Sequence, residues 1–183
     1  MSFLTKKQLN TFGFKALGDN VLISNKASIY NPEMVRIGSN VRIDDFCMLS
    51  GEITLHNYIH VSAYSALYGK FGIELHDYTG LSPRTTVFSA SDDFSGKHMI
   101  SPMVPNELTN VEGGKVTIEK FSQIGAGSII MPNLTIAEGT VIGAMSMLKT
   151  ATKAWGIYHG CPAQFFKERD KNIIELSKMF HEF

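Results

Sequence analysis

Apolar residues recur along this chain every six positions. From Ile37 the register runs through Ile43, Leu49, Leu55, Val61 and Leu67, slips by two, and continues through Leu75, Leu81 and Val87. It returns at Ile118 and holds through Ile124, Ile130, Ile136, Ile142 and Leu148; backward from Ile37 it reaches Ile29 and Ile23. All seventeen positions are Ile, Leu or Val. A smaller or apolar residue stands two places before many of them: Val35, Val41, Cys47, Ile53, Ile59 and Ser65, then Val116, Ser122, Ser128, Leu134, Thr140 and Ser146. A helix of 3.6 residues per turn drifts out of phase with six within two repeats. Ordinary hairpins alternate over longer runs and carry turn pairs such as Asn-Gly. A period of six is a short strand plus a corner. So short a strand cannot bury its apolar face alone, and successive coils must stack as parallel strands about 4.8 Å apart. The spacing therefore predicts a mainly β fold, a parallel β-helix whose aliphatic ladder fills a narrow tube.

Three segments frame the tube. Residues 1–20 precede it, with Thr5 placed to cap a short helix over Lys6-Lys7-Gln8-Leu9-Asn10. The β-helix is expected over 21–163, interrupted by an inserted loop at 88–115. A long loop inside a compact repeat array is uncommon and usually functional. Residues 164–183 are expected to form a C-terminal helix, with Ile173, Leu176, Met179 and Phe180 at helical spacing to pack on the tube end or a neighbouring subunit.

Composition acts by exclusion. With 183 residues, 44% hydrophobic and 19% charged, the chain fits one soluble globular domain. Its 17 basic and 17 acidic side chains cancel, leaving no global field to draw in nucleic acid or an anionic membrane. No segment has the roughly 20 apolar residues of a membrane span, and the N-terminus lacks the apolar core of a secretory signal. Two cysteines, Cys47 and Cys161, make no disulfide framework, so a cytoplasmic location is expected.

The hexads, the interrupting loop and the tail Gly160-Cys161-Pro162-Ala163-Gln164 resemble the hexapeptide-repeat acyltransferases, which fold as left-handed parallel β-helices. The handedness comes from that resemblance alone. The stretch Ser91-Asp92-Asp93-Phe94-Ser95-Gly96, with Pro102-Met103-Val104-Pro105 beyond it, is similar to a subgroup placed with surface-polysaccharide and O-antigen pathways. That subgroup acylates nucleotide-linked amino sugars such as dTDP-4-amino-4,6-dideoxyglucose. The resemblance implies acetyl-CoA as donor, a nucleotide sugar or saccharide as acceptor, and a homotrimer with its sites between adjacent tubes. No resident metal is implied.

Acetyl transfer from a thioester needs a placed nucleophile, a group to take its proton and a donor to the developing oxyanion. The family's usual histidine base falls at Asp92 here. A carboxylate is a weak base for a sugar hydroxyl but can receive a proton from an attacking amine. The replacement therefore favours N-acetylation, with Asp92 or Asp93 as the acceptor of the proton. A plainer reading makes the two aspartates an Asx turn. His60, on an outward strand position with Gly80 expected above it, is the alternative base. Tyr64, Phe94 and His98 are candidates for acceptor binding. On the donor side, the resemblance places Ala126 and Ala144, with Gly125 and Gly143 beside them, along the thioester and pantetheine. It gives Lys149, Thr150, Lys153, Lys167 and Arg169 to the CoA phosphates.

Three other readings compete. O-acetylation of a saccharide would need His60 as base. A metal-dependent β-helix hydratase would need three converging histidines; His56 and His76 should stack on one corner, with no third at a suggestive spacing, and as replacements for a corner glycine they need no metal. A non-enzymatic solenoid would present a regular outward array of Thr, whereas the outward positions here are mixed.

Overall fold

The computed structural model describes residues 2–180. Its strands stack in three columns that form the faces of a tube. The first face carries Leu22–Ile23, Val41–Ile43, Ile59–Val61, Gly80–Leu81, Gln123–Ile124 and Val141–Ile142, all parallel. The second and third faces share the long strands Met48–Leu55 and Ala66–Leu75, which turn a corner while staying paired with each other. The insertion leaves the stack unbroken, because Thr86 pairs directly with Ile129 and Ile73 with Val116.

The ladder lies where the period of six puts it. Sixteen of its seventeen aliphatics are buried, and Ile29 is partly buried against the same core. The twelve companion positions are also buried. Their serines are satisfied through the next coil: Ser128 Oγ donates to the Gly143 carbonyl at 2.8 Å and Ser122 Oγ to Ala137 at 3.2 Å. A buried hydroxyl without such a partner would be destabilising. Among the described residues no buried side-chain polar atom lacks one.

Corners leading into the first face hold Tyr58, Tyr78 and Phe121 with φ near +60°. That left-handed backbone is costly for a bulky side chain. Stacking offsets it: the rings of Tyr58 and Tyr78 lie 4.9 Å apart, and those of Tyr78 and Phe121 5.2 Å apart.

Both ends of the chain carry the expected helix, with different bounds. Helix α1 (Lys6–Thr11) carries the Thr5 cap, reinforced by a reciprocal bond with Gln8, and buries Leu9. The tube begins earlier than residue 21, since Ala16–Leu17 already pairs with the third-face strand Val35–Ile37. The expected helix over 164–183 is instead a strand, Ala163–Glu168, followed by helix α2 (Asn172–Phe180); residues 181–183 lie outside the described residues. The strand runs antiparallel to Gly156–Gly160 and covers the open edge of the last coil, as a solenoid terminus requires. Helix α2 packs on the side of the tube rather than its end: Ile173, Leu176 and Phe180 face the Tyr58–Tyr78–Phe121 stack, with Phe180 edge-on to Tyr58. No helix among the described residues is long and apolar enough to cross a membrane.

Candidate active site

The insertion leaves the second face after Phe88 and closes on itself where Ala90–Asp92 pairs antiparallel with Val111–Gly113. Between this loop and the tube lies a cleft of about 770 Å³. Tyr68 and Phe88 form its tube side, with rings stacked 5.1 Å apart and 4° from parallel. Lys70 and Met131 flank them, and Asp92 and Asn106 line the loop side. An aromatic platform beside a lysine and a carboxylate suits a ligand with a flat ring, negative charge and an amine.

The structure divides the two aspartates. Asp92 is exposed to the cleft, and its carboxylate makes no hydrogen bond or ion pair within the described residues. Asp93 is spent on the loop. It accepts from the Ser95 backbone at 2.6 Å, from Ser95 Oγ at 2.9 Å and from His98 Nδ1 at 2.8 Å. Those bonds, Ser95's first and His98's next, lower its carboxyl to about 2. The Asx-turn reading thus holds for Asp93, which is not placed to take a proton from a substrate. His98 is its partner in that turn and does not line the cleft. Phe94 stands at the rim, 86% exposed.

His60 lies beneath Gly80 on the first face, as the register required. Its Nε2 sits 2.8 Å from Asp44, which also accepts from Arg42 Nε at 2.7 Å. Burial pushes the Asp44 carboxyl up, but the hydrogen bonds from Arg42 and His60 and their charges outweigh it and hold the group below the usual range. His60 does not line the cleft. Nor does Tyr64, which stacks on Phe46 at 4.9 Å with Arg84 over its other face.

The donor-side alanines form one line. Ala126 accepts from the Met145 backbone N–H, so Gly125-Ala126 and Gly143-Ala144 stack at the corner between the first and second faces. A side chain on Gly125 would run into the backbone of Gly143 and Ala144. Directly below lies Ser82, which the sequence did not single out. Its hydroxyl accepts from Gln123 Nε2 at 3.0 Å. Gln123 folds flat over Gly80, where any Cβ would collide with its amide. The signal in the sequence was the lone glycine at a strand's outward position. Tyr68 and Phe88 were also missed, although they stand twenty residues apart, the same interval that predicted the His56–His76 stack.

The basic cluster does not assemble as expected. Arg169 turns inward, its Nη1 donating to the carbonyls of Phe121 at 2.6 Å and Gly139 at 2.9 Å. It latches the C-terminal strand to the opposite corner of the first face and is not free for phosphate. Lys167 lies near that corner, paired with Ile157 and set over the Phe166 ring. Lys149, Thr150 and Lys153 are exposed beyond the strand Met147–Leu148.

No family model matches the chain. It is 43% identical, over 98% of its length and 95% of the relative's, to dTDP-4-amino-4,6-dideoxy-D-glucose acyltransferase of Escherichia coli. AntD, an N-acyltransferase from Bacillus cereus in complex with dTDP and 3-hydroxybutyryl-CoA, is 50% identical, with a TM-score of 0.97 over 99% of this chain and 97% of its own. A hexapeptide-repeat acetyltransferase from Vibrio cholerae, 17% identical, shares the fold at a TM-score of 0.60 over 91% of this chain and 80% of its own. With a relative 43% identical over 98% of its length, the chain is an acyltransferase of the hexapeptide-repeat β-helix family, in the branch of the dTDP-4-amino-4,6-dideoxyglucose acyltransferases.

Proposed function

We propose that this enzyme N-acylates the amino group of dTDP-4-amino-4,6-dideoxyglucose with an acyl group from coenzyme A. The observation that carries the reading is the unpaired Asp92 carboxylate in a cleft floored by stacked aromatics, in a chain matched over its whole length by an acyltransferase of that sugar. Two AntD structures, one with dTDP-4-amino-4,6-dideoxyglucose and one with dTDP, each with coenzyme A, carry a changed serine and a changed aspartate ten positions apart. Ser82 and Asp92 are spaced alike here.

The sugar ammonium loses a proton to Asp92 and the free amine attacks the thioester carbonyl. The C–N bond forms and the C–S bond breaks; the nitrogen gives up its second proton as the amide forms, that proton ends on the departing thiolate to give the CoA thiol, and Asp92 returns its own to solvent. Ser82 stands beside the donor line, and because its oxygen already accepts from Gln123, its own proton is left to bond the carbonyl oxygen as negative charge develops there. Gly125, Ala126, Gly143 and Ala144 let the pantetheine lie close against the backbone.

Ser82 precedes the second-face strand Thr86–Phe88 and Asp92 follows it, so one chain sets the two on opposite edges of that face. A second copy completes the site by bringing its donor corner to this cleft. A homotrimer meets that need, and the exposed Phe94, Met99 and Met103 of the loop suit burial against the neighbour. Placement in a cytoplasmic O-antigen or other lipopolysaccharide pathway follows the same reading.

The test is to incubate the enzyme with acetyl-CoA and with 3-hydroxybutyryl-CoA. Each donor is paired with dTDP-4-amino-4,6-dideoxyglucose or its 4-hydroxy counterpart, and thiol release and product mass are followed. An amide with the amino sugar is expected. Ester formation with the hydroxy sugar, and none with the amino sugar, would refute the assignment.

A further inference from the structure

Away from the cleft, the corner at the end of the third face carries two imidazoles. His56 and His76 stack with ring centroids 4.7 Å apart and planes 9° from parallel. Lower in the same column the corner residues are glycines, Gly18 and Gly38. No third histidine stands at a suggestive spacing in the sequence, but the stacking of coils supplies a carboxylate instead. Glu74 occupies the outward position of its strand, in register with Thr54 below and Thr117 above. Its Oε1 lies 2.7 Å from His56 Nε2 and 3.7 Å from His76 Nε2. Lys115 pairs with the other oxygen, Oε2, leaving Oε1 to the imidazoles. Glu119, one coil higher, reaches to 4.0 Å from His76 Nε2.

We infer that His56, Glu74 and His76 form a surface site for a borderline divalent metal ion such as Zn²⁺, tying two adjacent coils together. Donor atoms of the three residues all lie within 4.8 Å of one another. A tetrahedral zinc with bonds of 2.0–2.1 Å sets its donors about 3.3 Å apart, and the two Oε1 distances bracket that value. Two imidazoles and one carboxylate match Zn²⁺, Co²⁺ or Ni²⁺ rather than the all-oxygen preference of Ca²⁺ or Mg²⁺. Binding requires the rings to tilt out of their stack so that both Nε2 lone pairs converge. Both side chains are about one-third exposed and can turn on their solvent side.

The experiment uses the full chain without an affinity tag, stripped with chelator and dialysed against about 10 μM free Zn²⁺. One bound ion per chain is expected, with a rise in melting temperature because the ion binds only the folded state. His56→Ala and Glu74→Gln should each weaken binding about tenfold or more, whereas His98→Ala should not. Circular dichroism confirms that each variant is folded, and His76→Gln serves if His56→Ala is not. Acyl transfer by Glu74→Gln should match wild type, since the site lies apart from cleft and donor line. No bound zinc in the wild type, or zinc retained equally by the two site variants, would overturn the inference.

Discussion

Gly80→Ala tests how the Ser82 hydroxyl is aimed. The backbone at Gly80 is not left-handed, so alanine is conformationally acceptable there. A Cβ would nonetheless stand closer than 3.0 Å to Gln123 Oε1 and 3.1 Å from its Cδ. Contact near 3.5 Å is restored only if the amide withdraws by roughly 1 Å. A shift of that size breaks the 3.0 Å bond from Gln123 Nε2 to Ser82 Oγ. Gln123 is a flexible, half-buried side chain, so the fold should survive with its melting temperature nearly unchanged. Losing one neutral hydrogen bond costs about 1 kcal/mol, which corresponds to about a fivefold fall in rate if the bond matters only in the transition state. The assay is continuous detection of CoA thiol under saturating sugar. Gly80→Ala and Gln123→Ala should each lower kcat about fivefold with KM for the acyl-CoA little changed, and the double variant should be no worse than either. Unchanged kcat in both single variants would refute the positioning role.

Arg169→Met should destabilise the enzyme by about 2–3 kcal/mol, measured by urea denaturation, because two corner carbonyls lose a charged donor. KM for the acyl-CoA should stay within about twofold; a large rise would restore Arg169 to the phosphate site. Asp93 has a folded-state pKa of about 2, below its ordinary 3.8. A depressed carboxyl contributes stability above the unfolded value and loses it as pH falls through the folded one. The gap in melting temperature between wild type and Asp93→Asn should therefore be full above about pH 4 and close toward pH 2; a gap independent of pH would contradict the turn assignment.

The tube was legible because its core repeats. Each coil needs the same aliphatic at the same place, so position alone identified Ile43, Leu67 or Ile142 as interior. Companion residues such as Ser128 were legible for the same reason, although their bonds to the next coil were not. Asp92 was singled out through the resemblance, which puts the family's base position in the loop that breaks the ladder. The sequence could not separate Asp92 from Asp93, since that depends on Ser95 and His98 folding back within the loop. Side chains that act across coils escaped notice: Gln123 meets Ser82 at a sequence distance of 41 residues, and Glu74 meets His56 at 18. The helical spacing over residues 173–180 is legible, but the strand Ala163–Glu168 before it is not, because its pairing is set by the exposed edge of the last coil.

The most direct test of the account is the rate of Asp92→Asn with dTDP-4-amino-4,6-dideoxyglucose and acetyl-CoA. Asparagine keeps the size and polarity of the side chain but cannot take a proton. A fall in kcat of about 10²–10⁴ is expected, with KM for the sugar nucleotide within a few-fold of wild type. A variant that turns over at nearly the wild-type rate would show that the proton of the amine goes elsewhere.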